Sequence, residues 1–493
     1  MRNRRSFSLL RMTSIVLILV ALVMMVFQLI SFSRVRSNLP AGMKVAGVPV
    51  GGLDRQSAAQ KIIAAYSHPI ELRYNGAPIL MNPEDAEFQL DLQKMLAIAD
   101  SQRTQRFFWE EFWDFLWGRT TSPVSVPLSA ASSEERIKIY LNNITQRYDQ
   151  PAKPAQPVPG TVNYQPGQAG MTLDLDGSIL LIENSLKSLT NRVVDLPIRR
   201  TLPERPDFNN LSIFLQQTIR VSNFDGLVSV YLLDLQTGQE IHFAYRQGEL
   251  LPLKPDIAFT ASSIIKIPIM VSVFKNMDTM DEETAKLMED MVDRSGNEAA
   301  DWLMDRVMEK GRGPLIVSDD MKTLGLENTF LAGYFSLGSP LLAGFQTPAN
   351  QRTDINTDPD PYSQTTSSDI GMLLVDLYQC AEKGGGALIA AFPGQITQAE
   401  CQEMIQYLVK NRLPSLLTAG IPEGTTIAHK HGWVSTNGTI NTVGDAGIIY
   451  SPGGDYVLVV FVHDPVQVIW DPASTLIAML SQAVYNYYNI PTQ

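Results

Sequence analysis

Phe259-Thr260-Ala261-Ser262-Ser263-Ile264-Ile265-Lys266 is the stretch on which the reading of this chain turns. A serine and a lysine three residues apart meet on one helical face, so an amine can reach a hydroxyl. The small-residue lead-in sets Ser263 at a helix start, where unpaired N–H groups favour developing negative charge. A lysine takes a proton from serine only when burial or a nearby cation brings its pKa well below about 10.4. The pattern is weak alone, since a chain this long holds about two Ser-x-x-Lys matches by chance. Ser272-Val273-Phe274-Lys275 is such a second copy. Nine residues at about 100° each turn it to the opposite face of the same helix, and the lead-in selects Ser263.

Two further clusters follow in order. Ser295-Gly296-Asn297 runs directly into Glu298-Ala299-Ala300-Asp301-Trp302-Leu303-Met304, which places it on a turn at a helix entrance. An ordinary helix cap would explain it equally well in isolation. Lys430-His431-Gly432 is followed by Trp433 and strand-like sequence, whereas Lys383-Gly384-Gly385, the competing Lys-x-Gly, opens a glycine loop. Lys430 can supply the second positive charge that keeps Lys266 neutral. Together the three clusters are the parts of an acylating serine enzyme whose general base is a lysine.

Alternating apolar runs predict a hairpin of residues 227–235 and 241–245, and a second of 446–450 and 456–462 over Pro452-Gly453-Gly454. Helical patterns fill 263–307 and 367–408, and a last helix is capped near Asp471-Pro472. Strands at both ends with helices between predict an α+β fold, one antiparallel sheet whose first and last pieces pair under flanking helices.

On these residues, positions 210–490 resemble the serine β-lactamase and penicillin-binding superfamily, most nearly its class A β-lactamase-like domains. Phe259, Ser263 and Lys266, then Ser295, Asn297 and Ala300, then Lys430, Gly432 and Trp433 match its motifs, with Asp445-Ala446-Gly447-Ile448 on the following strand. The resemblance implies Ser263 as acylated nucleophile, Lys266 as its base and Ser295 as proton relay to the departing nitrogen. It implies Asn297 on the substrate amide, Lys430 on its carboxylate, and an oxyanion hole from the N–H groups of Ser263 and Trp433. The substrate would be a β-lactam or a peptidoglycan stem peptide.

Three departures qualify it. Gly296 stands where an aspartate is usual, and the Lys266-to-Ser295 interval is short, which implies a trimmed helical subdomain. His431 replaces a threonine or serine; its imidazole could donate to a carboxylate, with a charge changing between about pH 5 and 8. No glutamate occurs between Asn328 and Ala381 to activate water for deacylation, and Asp354 is the nearest counterpart. Loss of such a base slows a step by about 10² to 10⁴.

The remaining sequence sets the context. A chain of 493 residues predicts two to three domains. A net charge of −12 excludes a basic nucleic-acid-binding surface. Residues 12–32 are uncharged and apolar, about 31 Å as a helix, enough to span a bilayer. Arg2, Arg4, Arg5 and Arg11 before it, against Arg34 and Arg36 after it, set 1–11 as a cytoplasmic tail with the remainder outside. A cleaved signal peptide is the alternative, but the run is long for a signal core and Ser31-Phe32-Ser33-Arg34 offers no small-x-small cleavage site, so 12–33 reads as an uncleaved signal anchor. Residues 40–202 form a smaller α+β region: a strand closing on Gly51-Gly52, a helix capped by Asp54, and a hairpin about Asn75-Gly76. Its Val45-to-Leu53 opening resembles the YoaR-like, VanW-associated peptidoglycan-binding domain, which implies wall association. The aromatic run at 107–117 is dense enough to dip into a membrane interface. Glu110, Glu111 and Asp114 would repel anionic lipid, however, and no lysines accompany them, which favours a helix docked on its own domain. Pro151, Pro154, Pro157 and Pro159 stiffen a connector or spacer. The five histidines show no metal-ligand spacing, and His429 and His431 are expected on opposite strand faces, so no metal or cofactor is implied. Cys380 and Cys401 fit one disulfide or two free thiols equally well.

The expected activity is a membrane-anchored, extracytoplasmic serine hydrolase acting on a β-lactam or a cell-wall amide. A D,D-peptidase and a catalytically quiet wall-binding or sensing module are the alternatives.

Overall fold

The computed structural model describes residues 4–119, 125–411, 413–436 and 438–491. Arg2, one of the arginines expected to orient the anchor, lies outside them. The chain divides into two compact units, one of residues 1–152 and 169–202, the other of residues 153–168 and 203–493.

In the first unit, a helix at Arg4–Ser37 carries the apolar run, with Ile15, Leu19, Val23 and Phe27 all exposed. The segment 11–37 is long and apolar enough to cross a membrane. The stretch expected as one strand at 45–50 is instead two short strands, Lys44–Val45 and Val48–Pro49, folded about Ala46 and Gly47 at positive φ. Asp54 caps the helix Arg55–Tyr66 by accepting from the N–H groups of Gln56 and Ser57. Ile70–Tyr74 and Ala77–Met81 pair across Asn75-Gly76, where both φ values are positive, as a two-residue hairpin turn requires.

The second unit is built on a six-stranded antiparallel sheet. Its spatial order is Glu249–Leu251, Glu240–Arg246, Leu227–Asp234, Tyr456–His463, Thr439–Tyr450 and Thr426–Thr436. The first long strand and the last therefore lie side by side, with Val230 opposite Val460. Alternation along these strands feeds two cores. Val228, Val230, Leu458 and Val460 pack with helices Phe208–Val221 and Trp470–Tyr488 on one face. Tyr231, Val457, Val459 and Phe461 pack on the other, under helices Lys266–Lys275 and Ser367–Lys383. Both faces are covered, which explains why the central strands read as almost unbroken apolar runs. Cys380 and Cys401 form a disulfide that ties helix Ser367–Lys383 to helix Gln398–Val409.

Residues 153–168 belong to this second unit: Tyr164 packs edge-on against Phe214, and Asn486 donates to the Val162 carbonyl.

Candidate active site

Ser263 lies in a single 3-10 turn, Ser262–Ile265, that leads into the helix Lys266–Lys275. That turn is held against the edge strand Thr426–Thr436. A Cβ added to Gly432 would come within 2.8 Å of the Ser263 nitrogen and 3.0 Å of that of Ile264. Only glycine permits the close approach.

The three sequence clusters converge. Lys266 Nζ is 2.9 Å from Ser263 Oγ, 2.8 Å from Asn297 Oδ1, 2.8 Å from the Ser295 carbonyl oxygen and 3.3 Å from Ser295 Oγ. Lys430 Nζ lies 3.0 Å from the same Ser295 Oγ. One hydroxyl thus bridges two amines from distant parts of the chain. Ser295 meets both by adopting φ +61°, a left-handed conformation that costs a non-glycine residue about 1–3 kcal/mol. Both lysine side chains are fully buried, while Ser263 and Ser295 are half-buried and Asn297 is exposed. The two amines are thus buried behind residues that are themselves partly open to solvent.

Burial, and next the charge of Lys430, bring Lys266 down to about 7, against the smaller opposing pull of Asp301 and Asp290. Burial likewise lowers Lys430 to about 8, opposed by Asp445 and Asp293. Among the described residues no carboxylate forms an ion pair with either lysine. Near neutral pH Lys266 is thus poised to take the Ser263 proton while Lys430 keeps most of its charge.

The second Ser-x-x-Lys is structural. Ser272 is fully buried, and Lys275 is ion-paired with Asp320 and packed over the Phe392 ring.

His429, His431 and Trp433 share one strand face, contrary to the expected opposite faces, because positions two apart on a strand point the same way. The imidazole centroids lie 6.0 Å apart, and His431 stacks on Trp433, which meets Trp470 edge-on. His429 Nδ1 is 3.0 Å from Asp445 Oδ1 of the neighbouring strand, and Asn411 Nδ2 lies 3.2 Å from His431 Nδ1. Burial and the Lys430 charge push His431 down to about 3, so it stays neutral across the range in which a free imidazole titrates.

Among the described residues Asp354 makes no hydrogen bond or ion pair with the cluster. It is exposed and held in a two-pronged ion pair by Arg352, at 3.0 Å and 2.6 Å, which keeps its carboxyl below the usual range.

At Gly296 an added Cβ would lie 2.4 Å from Asp290 Oδ2, so a larger residue there would require that half-exposed carboxylate to turn aside. Sequence reasoning missed Asp301 and Phe335. Asp301 follows Asn297 by one helical turn and accepts from the Phe335 N–H and from the N–H and hydroxyl of Ser336. It thereby fixes a loop whose Phe335 ring centroid stands 5.1 Å from Lys266 Nζ. The i, i+4 spacing of Asn297 and Asp301 was the available signal.

Residues 282–488 match the family model described as the Beta-lactamase enzyme family, a span that includes Ser295, Asn297 and Lys430. Residues 282–488 of the second unit therefore carry a β-lactamase-like domain, a match that begins after Ser263 and Lys266. Solved structures similar to the chain include "Structure of PBP-A", at 24% identity over 59% of this chain and 99% of that one, with TM-score 0.41. A point mutant of PBP-A, described as an acyl-enzyme complex with penicillin-G, is 24% identical over 58% and 99%, TM-score 0.41. A beta lactamase from Xanthomonas campestris is 19% identical over 56% and 98%, TM-score 0.40. No curated protein matches the chain.

Proposed function

We propose that the β-lactamase-like domain is a serine acyl-enzyme: a β-lactam or a cell-wall peptide amide acylates Ser263, with Lys266 as general base. The observation that carries this is the buried Lys266 amine 2.9 Å from Ser263 Oγ and brought to about 7. In this reading neutral Lys266 accepts the Ser263 proton as Oγ attacks the carbonyl carbon. Charge on the carbonyl oxygen is met by the Ser263 and Trp433 N–H groups. Ser295, linked to both lysines, donates its proton to the departing nitrogen and recovers one through Lys266. Asn297 takes the substrate amide, and Lys430 attracts its carboxylate.

The placement of Asp354 favours slow deacylation, hence a penicillin-binding or D,D-peptidase character over rapid β-lactam turnover. With Asp354 paired to Arg352 and no glutamate between Asn328 and Ala381, hydrolysis of the acyl-enzyme lacks its expected base. The apolar helix supports a single-pass anchor, with both units outside the cytoplasm. The Cys380–Cys401 disulfide agrees with an oxidising compartment. The Val45-to-Leu53 resemblance supports peptidoglycan as the partner of the first unit.

Incubation with a fluorescent penicillin and a chromogenic β-lactam tests the proposal. A persistent label with little colour supports the penicillin-binding reading, and sustained colour supports a β-lactamase. Neither label nor colour leaves the quiet binding or sensing module.

A further inference from the structure

The helix Phe108–Leu116 presents two aromatic faces with different fates. Phe108, Phe112 and Phe115 gather around Phe32 of the N-terminal helix, with ring centroids 5.2, 5.4 and 5.3 Å away. Trp109, Trp113 and Trp117, spaced four apart, form the other stripe and are 64%, 57% and 66% exposed; Phe107 before them is 79% exposed. Three neighbouring exposed indoles are a patch that water does not favour.

The level of this stripe identifies its occupant. Residues 12–32 would span about 31 Å, the thickness of a bilayer's hydrocarbon core. Phe32, the docking point, is thus the residue at which the apolar span ends. Tryptophan concentrates at that level, where an apolar ring with one polar N–H fits between acyl chains and headgroups. Two of the three acidic residues that argued against lipid are ion-paired in the fold, leaving Glu110 exposed. Glu111 pairs with Arg36 at 2.7 Å, Asp114 pairs with Arg106 at 2.8 Å, and Arg36 also lies over the Phe108 ring.

We propose that Trp109, Trp113 and Trp117 bind the interface of the phospholipid bilayer, so that Phe108–Leu116 is a second, interfacial anchor beside the exit of the membrane span. The inference rests on reading the N-terminal helix as that span. It gives the first unit a fixed footing on the membrane, since two attachments restrict swivelling that one helix allows.

The test uses the full chain in phosphatidylcholine vesicles whose acyl chains are brominated close to the headgroup, compared with unbrominated vesicles. Trp109, Trp113 and Trp117 are three of the chain's six tryptophans, so the account expects a roughly two-fold loss of emission. It expects that loss to vanish in the Trp109→Phe, Trp113→Phe, Trp117→Phe triple variant. Equal quenching of both chains, or none, in protein that survives alkaline extraction of the vesicles would overturn the interfacial anchor alone and assign the stripe to a protein partner. Release of the wild-type chain by alkaline extraction would overturn the membrane span and this inference with it.

Discussion

Two Ser-x-x-Lys tetrads follow one another along a 3-10 turn and the helix it leads into, and their surroundings separate them more sharply than their sequences do. At Ser263 and Lys266 the serine is reachable from solvent and the buried ammonium meets only neutral oxygens. At Ser272 and Lys275 the serine is buried and the ammonium has a carboxylate partner in Asp320. A lysine that lacks a counter-ion and feels a second cation is driven toward its neutral form, whereas one held by a carboxylate keeps its proton. Chemistry therefore follows the charge around the amine, and the tetrad only sets the reach.

The largest effect expected from this contrast is at the serines. Ser263→Ala should cut acylation by penicillin on the order of 10⁶-fold, as removal of a nucleophile does. Ser272→Ala should leave it within about two-fold, because the buried Ser272 hydroxyl makes no bond to Ser263, Lys266, Ser295 or Lys430. Intact-protein mass spectrometry after penicillin treatment reads both; an adduct lost with Ser272 would reverse the assignment.

At the lysines the two substitutions should differ in kind. Lys266→Met should slow acylation by about 10² to 10⁴. Lys275→Met should leave the acylation rate nearly unchanged but destabilise the domain by about 2 kcal/mol, since Asp320 is left buried without its cation. Asp320 is already raised by burial, against the pull of Lys275. Stopped-flow acylation and urea unfolding separate the outcomes, and a stability loss at Lys266 larger than at Lys275 would blur the distinction.

A smaller expected effect concerns the exposed acid. Asp354→Asn should alter the lifetime of the acyl-enzyme by less than about two-fold, where a deacylation base would change it by about 10² or more. Decay of the fluorescent penicillin adduct measures this.

Much of this arrangement is legible in the sequence because local rules govern it. The strand pairs at 227–246 and 439–463 follow alternation, the Asn75-Gly76 turn follows its φ requirement, and helical phase together with the small-residue lead-in at 259–262 singles out Ser263 over Ser272. What escapes the sequence is set by tertiary neighbours. The crowding of Gly296 by the Asp290 carboxylate, and the placing of Phe335 beside Lys266 by a loop bonded to Asp301, are tertiary relations that no local spacing records. The neutral state of His431 depends on burial that no spacing reveals. The shared side of His429 and His431, by contrast, follows from the two-residue strand period, against which the expectation of opposite faces was simply wrong.

The pH dependence of the acylation rate constant at Ser263 tests the central claim most directly. Lys266 acts when unprotonated, so the rate should rise with pH through about 7; Lys430 acts when protonated, so it should fall above about 8. A narrow bell with its maximum between these values is the predicted result. A rate that stays flat from pH 6 to 8 and climbs only near the ordinary lysine value of about 10.4 would contradict the account.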